Sequence, residues 1–324
     1  MLPVSAAIRP TKGGAVKGIR TARRAILVAA ALAFVVSASA CGGGGGSSSG
    51  TTSTGGQAAG GKKIKACLIT DIGGLNDHGF NELAAKGLNQ AKSQLGVQTR
   101  IIESHKNSDY IPNLQSCGRD GSDIIITNGF LMGDATYKAA KAFPDSNFAI
   151  IDFAYGASAE KFGTGDPKSP ELPNLEGLVF KEEQPGYLVG YMAGLVTKGG
   201  TVSTVGGQKI PPVDHYIAGF QSGAKAANSS VKLLNGYSNE FPDPAPCKEI
   251  ALNQISQGSD IVFQVAGQCG LGALDAAKEK KVWAIGVDKD QLYLGSYILT
   301  SALKRVFRKP SRGSSRPEPS STPS

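Results

Sequence analysis

ITDIGGLNDHGFNELAAKG, residues 69–87, carries the chain from the end of an apolar strand through a Gly-Gly turn into the start of a helix. Polar and aromatic side chains crowd this turn: Asp71, Asn76, Asp77, Phe80 and Asn81. Open α/β sheets bind small molecules at the carboxyl ends of their strands. Acids and amides beside an aromatic ring suit a polar ligand that contains a flat ring. The stretch therefore predicts an α/β fold with a ligand site at this strand end.

A purely structural interpretation of the same turn is also open. Asp77 has the side chain of a helix N-cap. Phe80, Leu83 and Ala84 have the spacing of a helix face that packs on a core. On this interpretation the turn only starts a helix, so the rest of the chain must decide between the two.

The body of the chain alternates apolar, β-branched runs with helical patterns. The runs are IKACLITD (64–71), VQTRIIES (97–104), DIIITNG (123–129), NFAIIDF (147–153), LEGLVF (175–180), TVSTVGG (201–207), VKLLNGYS (231–238), DIVFQVAG (260–267) and VWAIGVD (282–288). Short strands separated by helices predict parallel sheets flanked by helices. The length of this region suits two sheets better than one.

A Lys-Gly-Gly break at residues 198–200 divides the body into two lobes. The pattern predicts lobe one at 62–197, which includes the helical stretch Glu182–Val196, and lobe two at 198–295. The segment 296–306 is then expected to cross back toward lobe one.

The first 61 residues predict export and a tether. Residues 1–40 combine basic residues with a short apolar stretch, as a signal peptide does. The sequence Ala38-Ser39-Ala40-Cys41 resembles a bacterial lipoprotein cleavage box, which implies a lipid on Cys41 and a protein held at the outer face of the membrane. An ordinary secretory signal with an incidental cysteine is the alternative. The Gly- and Ser-rich residues 41–61 predict a flexible tether.

The basic charge of the chain comes from its two ends. The whole sequence has a formal net charge of +8, of which residues 1–40 contribute six and residues 305–324 contribute four, so residues 41–304 carry a net charge of −2. The Pro-, Ser- and Arg-rich residues 307–324 predict a disordered tail. The charge therefore gives no reason to expect a nucleic-acid partner.

Four cysteines lie in the two lobes: Cys67 and Cys117 in lobe one, Cys247 and Cys269 in lobe two. Disulfides persist in exported proteins. Of the three possible connectivities, we favour the pairs Cys67–Cys117 and Cys247–Cys269, because a bridge between lobes would oppose hinge motion. The three histidines are scattered and no CxxC occurs, so no metal site is expected.

Polar residues follow the predicted strands in both lobes. The positions are Asp71, 128–130 and Asp152 in lobe one, and Gly206, Gly207, 240–243, Gly267 and Asp288 in lobe two. Strand ends that face each other across a cleft could hold a ligand together. GQCGLG (267–272) has the wrong glycine spacing for a dinucleotide loop, and no nucleophile elbow, P-loop or HExxH occurs. The residues therefore offer no candidate set for catalysis, and no cofactor is expected.

The runs just described resemble one family. ITDIGGLNDHGFNELAAKGL, LVFKEEQPGYLVGYMAGL, HYIAGFQSGAKAAN, QVAGQCGLG, VWAIGVDKDQ and LTSALKRV look like the basic membrane lipoprotein family of substrate-binding proteins, also called purine nucleoside receptor A-like. The resemblance covers residues 63–306. It implies a two-lobed periplasmic-binding fold of the sugar-binding type, three hinge crossings, and delivery of a purine nucleoside to an ABC transporter permease by a monomer.

The resemblance also implies roles for individual residues. Phe80 and Phe241 would sandwich a purine, one ring from each lobe. Asp288 would accept hydrogen bonds from the ribose diol, and Lys304 would reach a ligand oxygen. The remaining contacts would come from Asp71, Asn81, Gly267 and Asp152. The alternative for Phe80 and Phe241 is that both are core residues.

The chain departs from the family at its C-terminus. Family members continue beyond LTSALKR with a further helix and strand, where this chain has the Pro/Ser/Arg tail, so the C-terminal segment looks truncated. Two other functions stay open from the sequence. One is a nucleoside-processing enzyme that uses Asp71 or Asp77 in the same cleft, and the other is a receptor for a sugar or another small solute.

Overall fold

The computed structural model describes residues 63–304. The predicted signal peptide, Cys41, the tether and the tail lie outside the described residues. Within the described range, no helix has both the length and the apolar character that a membrane crossing requires.

Lobe one is built on a five-stranded parallel sheet. Its strands are β1 (Lys65–Thr70), β2 (Gln98–Ile102), β3 (Ile124–Asn128), β4 (Asn147–Ile151) and β5 (Leu175–Leu178), in the order β2-β1-β3-β4-β5. Its helices are α1 (Phe80–Leu95), α2 (Tyr110–Arg119), α3 (Gly133–Ala142) and α4 (Gly156–Phe162). The β-branched residues of the central strands fill the core against α2 and α3, which is why these runs are strands and not helices.

Lobe two repeats this arrangement. Its helices are α5 (Glu183–Val196), α6 (Pro211–Ala227), α7 (Pro244–Ser256) and α8 (Cys269–Lys280). Its parallel strands are β6 (Thr201–Gly206), β7 (Lys232–Tyr237), β8 (Ile261–Val265), β9 (Trp283–Val287) and β10 (Ile298–Ala302). The order β7-β6-β8-β9-β10 matches that of lobe one strand for strand. The end of β4 in lobe one is therefore equivalent to the end of β9 in lobe two.

The nine predicted strands are present, and the α/β class with two parallel sheets is confirmed. Two lobe assignments were wrong. Helix α5 was assigned to lobe one, but it packs along α6 of lobe two, so the chain changes lobes at 179–182 and not after Val196. The segment 296–306 was expected to return toward lobe one, but its residues Ile298–Ala302 pair with β9 as an edge strand of lobe two.

Glycines explain why α5 belongs to lobe two. A Cβ atom at Gly190 would collide with the backbone of Phe220, and one at Gly223 would collide with the backbone of Tyr187. The two helix backbones therefore touch with no side chain between them. An apolar helix at a lobe boundary could cover either sheet, and this close approach to α6 decides which one it covers.

Both predicted disulfides are present, and each lies within one lobe. Cys67–Cys117 joins β1 to α2, and Cys247–Cys269 joins α7 to α8. All four cysteines are buried. The bridges therefore brace each lobe without linking the lobes to each other.

We predict that Gly223→Ala destabilises the protein by about 1–3 kcal/mol, because its methyl group would force apart two packed helix backbones. Gly87→Ala is the matched control: Gly87 lies inside α1 with open space around its Cα, so the change should stabilise by about 0.5–1 kcal/mol. Urea unfolding of both variants measures the difference. Equal stabilities would contradict the packing described for α5 and α6.

Candidate functional site

A cavity of about 570 Å³, partly open to solvent, lies between the carboxyl ends of the strands of the two lobes. All eight residues that the sequence singled out for ligand binding line it: Asp71, Phe80, Asn81, Asp152, Phe241, Gly267, Asp288 and Lys304. Residues far apart in the chain are thus brought together at one place.

Asp71 is the buried polar centre of the lobe-one wall. Its Oδ1 accepts hydrogen bonds from Asn81 Nδ2 and from the Gly73 amide, each at 3.1 Å. The Oδ1 of Asn81 accepts in turn from Asn128 Nδ2 at 2.7 Å. A side chain at Gly129 would collide with the Asp71 carboxyl group, so glycine is required there. Asn81 is therefore oriented from both sides and holds the Asp71 carboxyl group in place.

Asp77 binds the start of α1, as the alternative interpretation expects, although the N-cap position itself is Gly79. Its carboxylate accepts hydrogen bonds from the backbone amides of Asn81 at 2.7 Å and Glu82 at 3.1 Å, in the first turn of α1. Those amides have no partner inside the helix. Asp77 also lines the cavity, so it fixes the start of α1 beside the site.

Phe80 and Phe241 come from opposite lobes and are only half-buried. Phe80 opens α1, and Phe241 lies in the loop between β7 and α7. The ring of Phe241 lies on the backbone of Gly207, where a side chain would collide with it, and against Gly267. Both rings line the cavity. This placement differs from that of a core phenylalanine such as Phe263, which is fully buried.

Lys304 carries a nearly buried ammonium group at the junction of the two lobes. Its Nζ lies 2.9 and 2.8 Å from the two carboxylate oxygens of Asp152, 3.7 Å from Asp288 Oδ1 and 3.9 Å from Glu182 Oε1. It also lies 4.9 Å from the ring centre of Phe80. Lys304 follows β10 of lobe two, whereas Asp152 follows β4 of lobe one. The ion pair therefore spans the cleft.

Asp152 and Asp288 occupy equivalent positions in the two lobes. Each directly follows its strand, β4 or β9, and each has a left-handed backbone, with φ of 67° and 61°. Residues other than glycine rarely adopt this conformation, and it costs energy. In this conformation both carboxylates point at the same ammonium group, that of Lys304.

Burial and charge set the protonation of these groups. Burial raises the pKa of Asp71 from its ordinary value of 3.8 to about 6. Burial alone would lower the pKa of Lys304, but the carboxylates of Asp152, Asp288 and Glu182 together raise it above its usual value, so the ammonium group stays charged. Burial and the charge of Asp288 raise the pKa of Tyr216, which keeps its hydroxyl group as a donor.

Two residues of this cluster escaped sequence reasoning. Tyr216 lines the cavity and donates a hydrogen bond from Oη to Asp288 Oδ1 at 3.1 Å. It stands on α6 at core spacing with Val213 and Phe220, so the pattern indicates only packing. Glu182 is buried beside Lys304, but in the sequence it belongs to an ordinary charged run, KEE. Only the three-dimensional arrangement singles out either residue.

Among the described residues, one group brings three possible metal ligands close together. The ligand atoms of Glu182, Glu183 and His215 lie within 4.8 Å of one another. However, the ammonium group of Lys304 lies 3.9 Å from Glu182 and opposes a second positive charge there. We therefore assign no metal to this group.

The chain is similar to known binding proteins over most of its length. Residues 64–312 match the family model described as ABC transporter substrate-binding protein PnrA-like. The ABC transporter nucleoside-binding protein BmpA of Lactococcus lactis subsp. cremoris is 32% identical over 265 residues, which cover 75% of this chain and 72% of the relative. Basic membrane protein A of Borreliella burgdorferi is 34% identical over 247 residues, which cover 75% and 69%.

A solved structure shows the same architecture. An ABC transporter system solute-binding protein from Aeropyrum pernix K1 superposes with a TM-score of 0.66 at 26% identity, over 74% of this chain and 66% of that chain. The expectation of a two-lobed solute-binding fold is thereby confirmed.

We predict that Asp71→Asn stabilises the protein in a pH-dependent way. The folded pKa of about 6 lies above the ordinary 3.8, so the folded state holds a proton that the unfolded chain releases, and the wild type loses stability as the pH rises from about 4 to 6. The advantage of the variant should grow over this range and level off above it, at no more than about 3 kcal/mol.

Denaturant unfolding between pH 4 and 8 checks this, with the exposed Asp145→Asn as the control for loss of one negative charge. An advantage of Asp71→Asn that is the same at every pH would show that burial does not disfavour the ionised carboxyl group.

Proposed function

The chain belongs to the PnrA-like family of ABC transporter substrate-binding proteins, and from this premise we propose that it captures a purine nucleoside in the cavity between its lobes. The captured solute would be released to the permease of an ABC importer. The observation that carries the proposal is the pair of half-buried rings, Phe80 and Phe241, which line one cavity from opposite lobes.

Two rings in one cavity, one from each lobe, suit a flat ligand better than a sugar alone. Stacking on an aromatic side chain contributes about 1–3 kcal/mol per base. Because one ring belongs to each lobe, a base between them would make its full contact only when the lobes are closed. Ligand binding would therefore favour closure by making contacts that the open form lacks.

The polar end of the cavity suits a ribose. Asp288 accepts a hydrogen bond from Tyr216 at one oxygen, which leaves acceptor capacity for two adjacent hydroxyl groups. Lys304 is already bound to Asp152, so we assign it a share in holding this end of the site as well as a contact to a ligand oxygen. Asp71 and Asn81 would guide the edge of the base, and Gly267 would allow its close approach.

We propose that the protein works as a monomer at the outer face of the cell membrane, held there by a lipid on Cys41. The support is the sequence of residues 1–61, with its basic and apolar leader, its small residues before Cys41 and its Gly/Ser stretch. A receptor tethered in this way stays near a membrane-embedded permease.

The proposal makes the protein a receptor and not an enzyme. Among the described residues, four carboxyl groups line the cavity, and each has a protein partner: Asp288 accepts from Tyr216, Asp77 accepts from the first turn of α1, and Asp152 pairs with Lys304. Asp71 is held by Asn81 and Gly73. Incubation with inosine or guanosine, followed by chromatography, should show no release of free base. Steady turnover would contradict the receptor assignment.

We predict that Phe80→Ala and Phe241→Ala each weaken purine nucleoside binding at least about tenfold, because each removes one stacking face. Isothermal titration calorimetry measures the dissociation constants. Phe162→Ala is the matched control, since Phe162 is a half-buried ring on α4 that does not line the cavity. Affinities that match the wild type in both cavity variants would reject the assigned stacking faces.

We predict that Asp288→Ala removes the preference for ribose over 2′-deoxyribose, because the hydroxyl pair would lose its charged acceptor. Titrations of guanosine and 2′-deoxyguanosine against the wild type and the variant give the ratio of affinities. A ratio that is unchanged in the variant would place the ribose elsewhere.

A further inference from the structure

A short segment of lobe one contacts lobe two beside the cavity. This rim segment, residues 78–82, carries Phe80 and Asn81, which line the cavity, between His78 and Glu82, which do not. Besides Lys304, which lies over the Phe80 ring, the lobe-two residues Lys289, Gln291 and Tyr293 contact its two ends. The contacts therefore fall at both ends of the segment that presents the stacking ring.

Lys289 holds the C-terminal end of the rim segment. Its Nζ lies 2.6 Å from Glu82 Oε1, and the side chains are 23% and 35% exposed, so the pair is only partly screened by water. The bond to Glu82 raises the pKa of Lys289, and the same bond lowers the pKa of Glu82. Both pKa shifts have the direction that an attraction between these two opposite charges, one on each lobe, produces. Lys289 also lies 5.0 Å from the ring centre of Tyr293.

Gln291 holds the N-terminal end of the rim segment. It is 1% exposed, and its Nε2 donates to the backbone oxygen of His78 at 3.1 Å. Its Oε1 accepts from the Val287 amide and from Gln264 Nε2, each at 3.2 Å. The two bonds within lobe two fix the orientation of the amide group, so that its donor faces lobe one.

The rim segment has a constrained backbone that these contacts support. His78 has a left-handed φ of 51°, which residues other than glycine rarely adopt. Its ring meets that of Tyr293 edge-on, with centres 6.2 Å apart. A turn that starts from a strained residue needs outside contacts to hold one conformation.

We propose that Lys289 and Gln291 are positioning residues that hold the rim segment against lobe two, with or without a ligand, and so fix Phe80 and Asn81 over the cavity without touching the ligand. The inference rests on the proposed function for its effect on nucleoside affinity. The contact itself joins two lobes of this chain and does not depend on which solute is bound.

A charge-reversal cycle tests the role of Lys289. Lys289→Glu and Glu82→Lys each place like charges across the rim, and each should weaken guanosine binding about fivefold, mainly through faster dissociation. The double variant Glu82→Lys/Lys289→Glu restores opposite charges and should recover most of the affinity. The control is Lys248→Glu, which breaks the pair between Lys248 and Glu279 within lobe two. It should leave the affinity unchanged.

Hydrogen exchange of the ligand-free protein separates this inference from the proposed function. Lys289→Glu should speed exchange across residues 74–88 at least about twofold, and Lys248→Glu should not. A wild type that binds no nucleoside would overturn the proposed function, whereas this readout needs no ligand. The positioning role would be overturned by exchange in Lys289→Glu equal to that of the wild type. It would also be overturned by a double variant that binds more weakly than both single variants.

Discussion

The ion pair between Lys304 and Asp152 is the interaction on which the site depends. Both side chains are about 8% exposed, and the ammonium group is bonded to both carboxylate oxygens. Burying one charge without the other would cost several kcal/mol. Since Lys304 belongs to lobe two and Asp152 to lobe one, the charge balance of the cavity is complete only when the two lobes meet. Closure of the lobes therefore also pairs the buried charges of the site.

The equivalence of the two lobes explains where this cluster lies. The same strand order places the ends of β4 and β9 opposite each other, and each end carries an aspartate in the same strained conformation. Lys304 leaves β10, the neighbour of β9, and so reaches both aspartates. Phe80, at the start of α1, and Phe241, in the loop after β7, line the same cavity as this charged cluster. A repeated fold thus yields a single site with unlike halves.

Much of this arrangement can be predicted from the sequence, because strands and the residues that follow them are local features. β-branched runs identify the strands, and several of the residues that follow them line the cavity, among them Asp71, Asp152 and Asp288. The disulfide pairs follow from the expectation that a hinge stays free. The resemblance to a family adds Phe241 and Lys304, for which periodicity alone gives no signal.

The remaining features depend on contacts between distant parts of the chain. Helix α5 is apolar on more than one side, so its partner is decided by the fit of its glycines against α6, which no local pattern contains. Gln291 has a polar side chain of the kind that usually lies at the surface. It is nevertheless buried, where it contacts His78 of lobe one. Tyr216 packs in the core and also lines the cavity. Its spacing on α6 predicts only the core packing. Contacts between residues far apart in the chain, within a lobe or between lobes, are the part of this structure that the sequence pattern does not predict.

The most direct test of the account is a crystal structure of the protein with a bound purine nucleoside. The account predicts a base between the rings of Phe80 and Phe241, with the ribose hydroxyl groups on Asp288 and the Lys304–Asp152 pair intact beside them. A nucleoside bound outside this cavity, or inside it with neither ring against the base, would contradict the account.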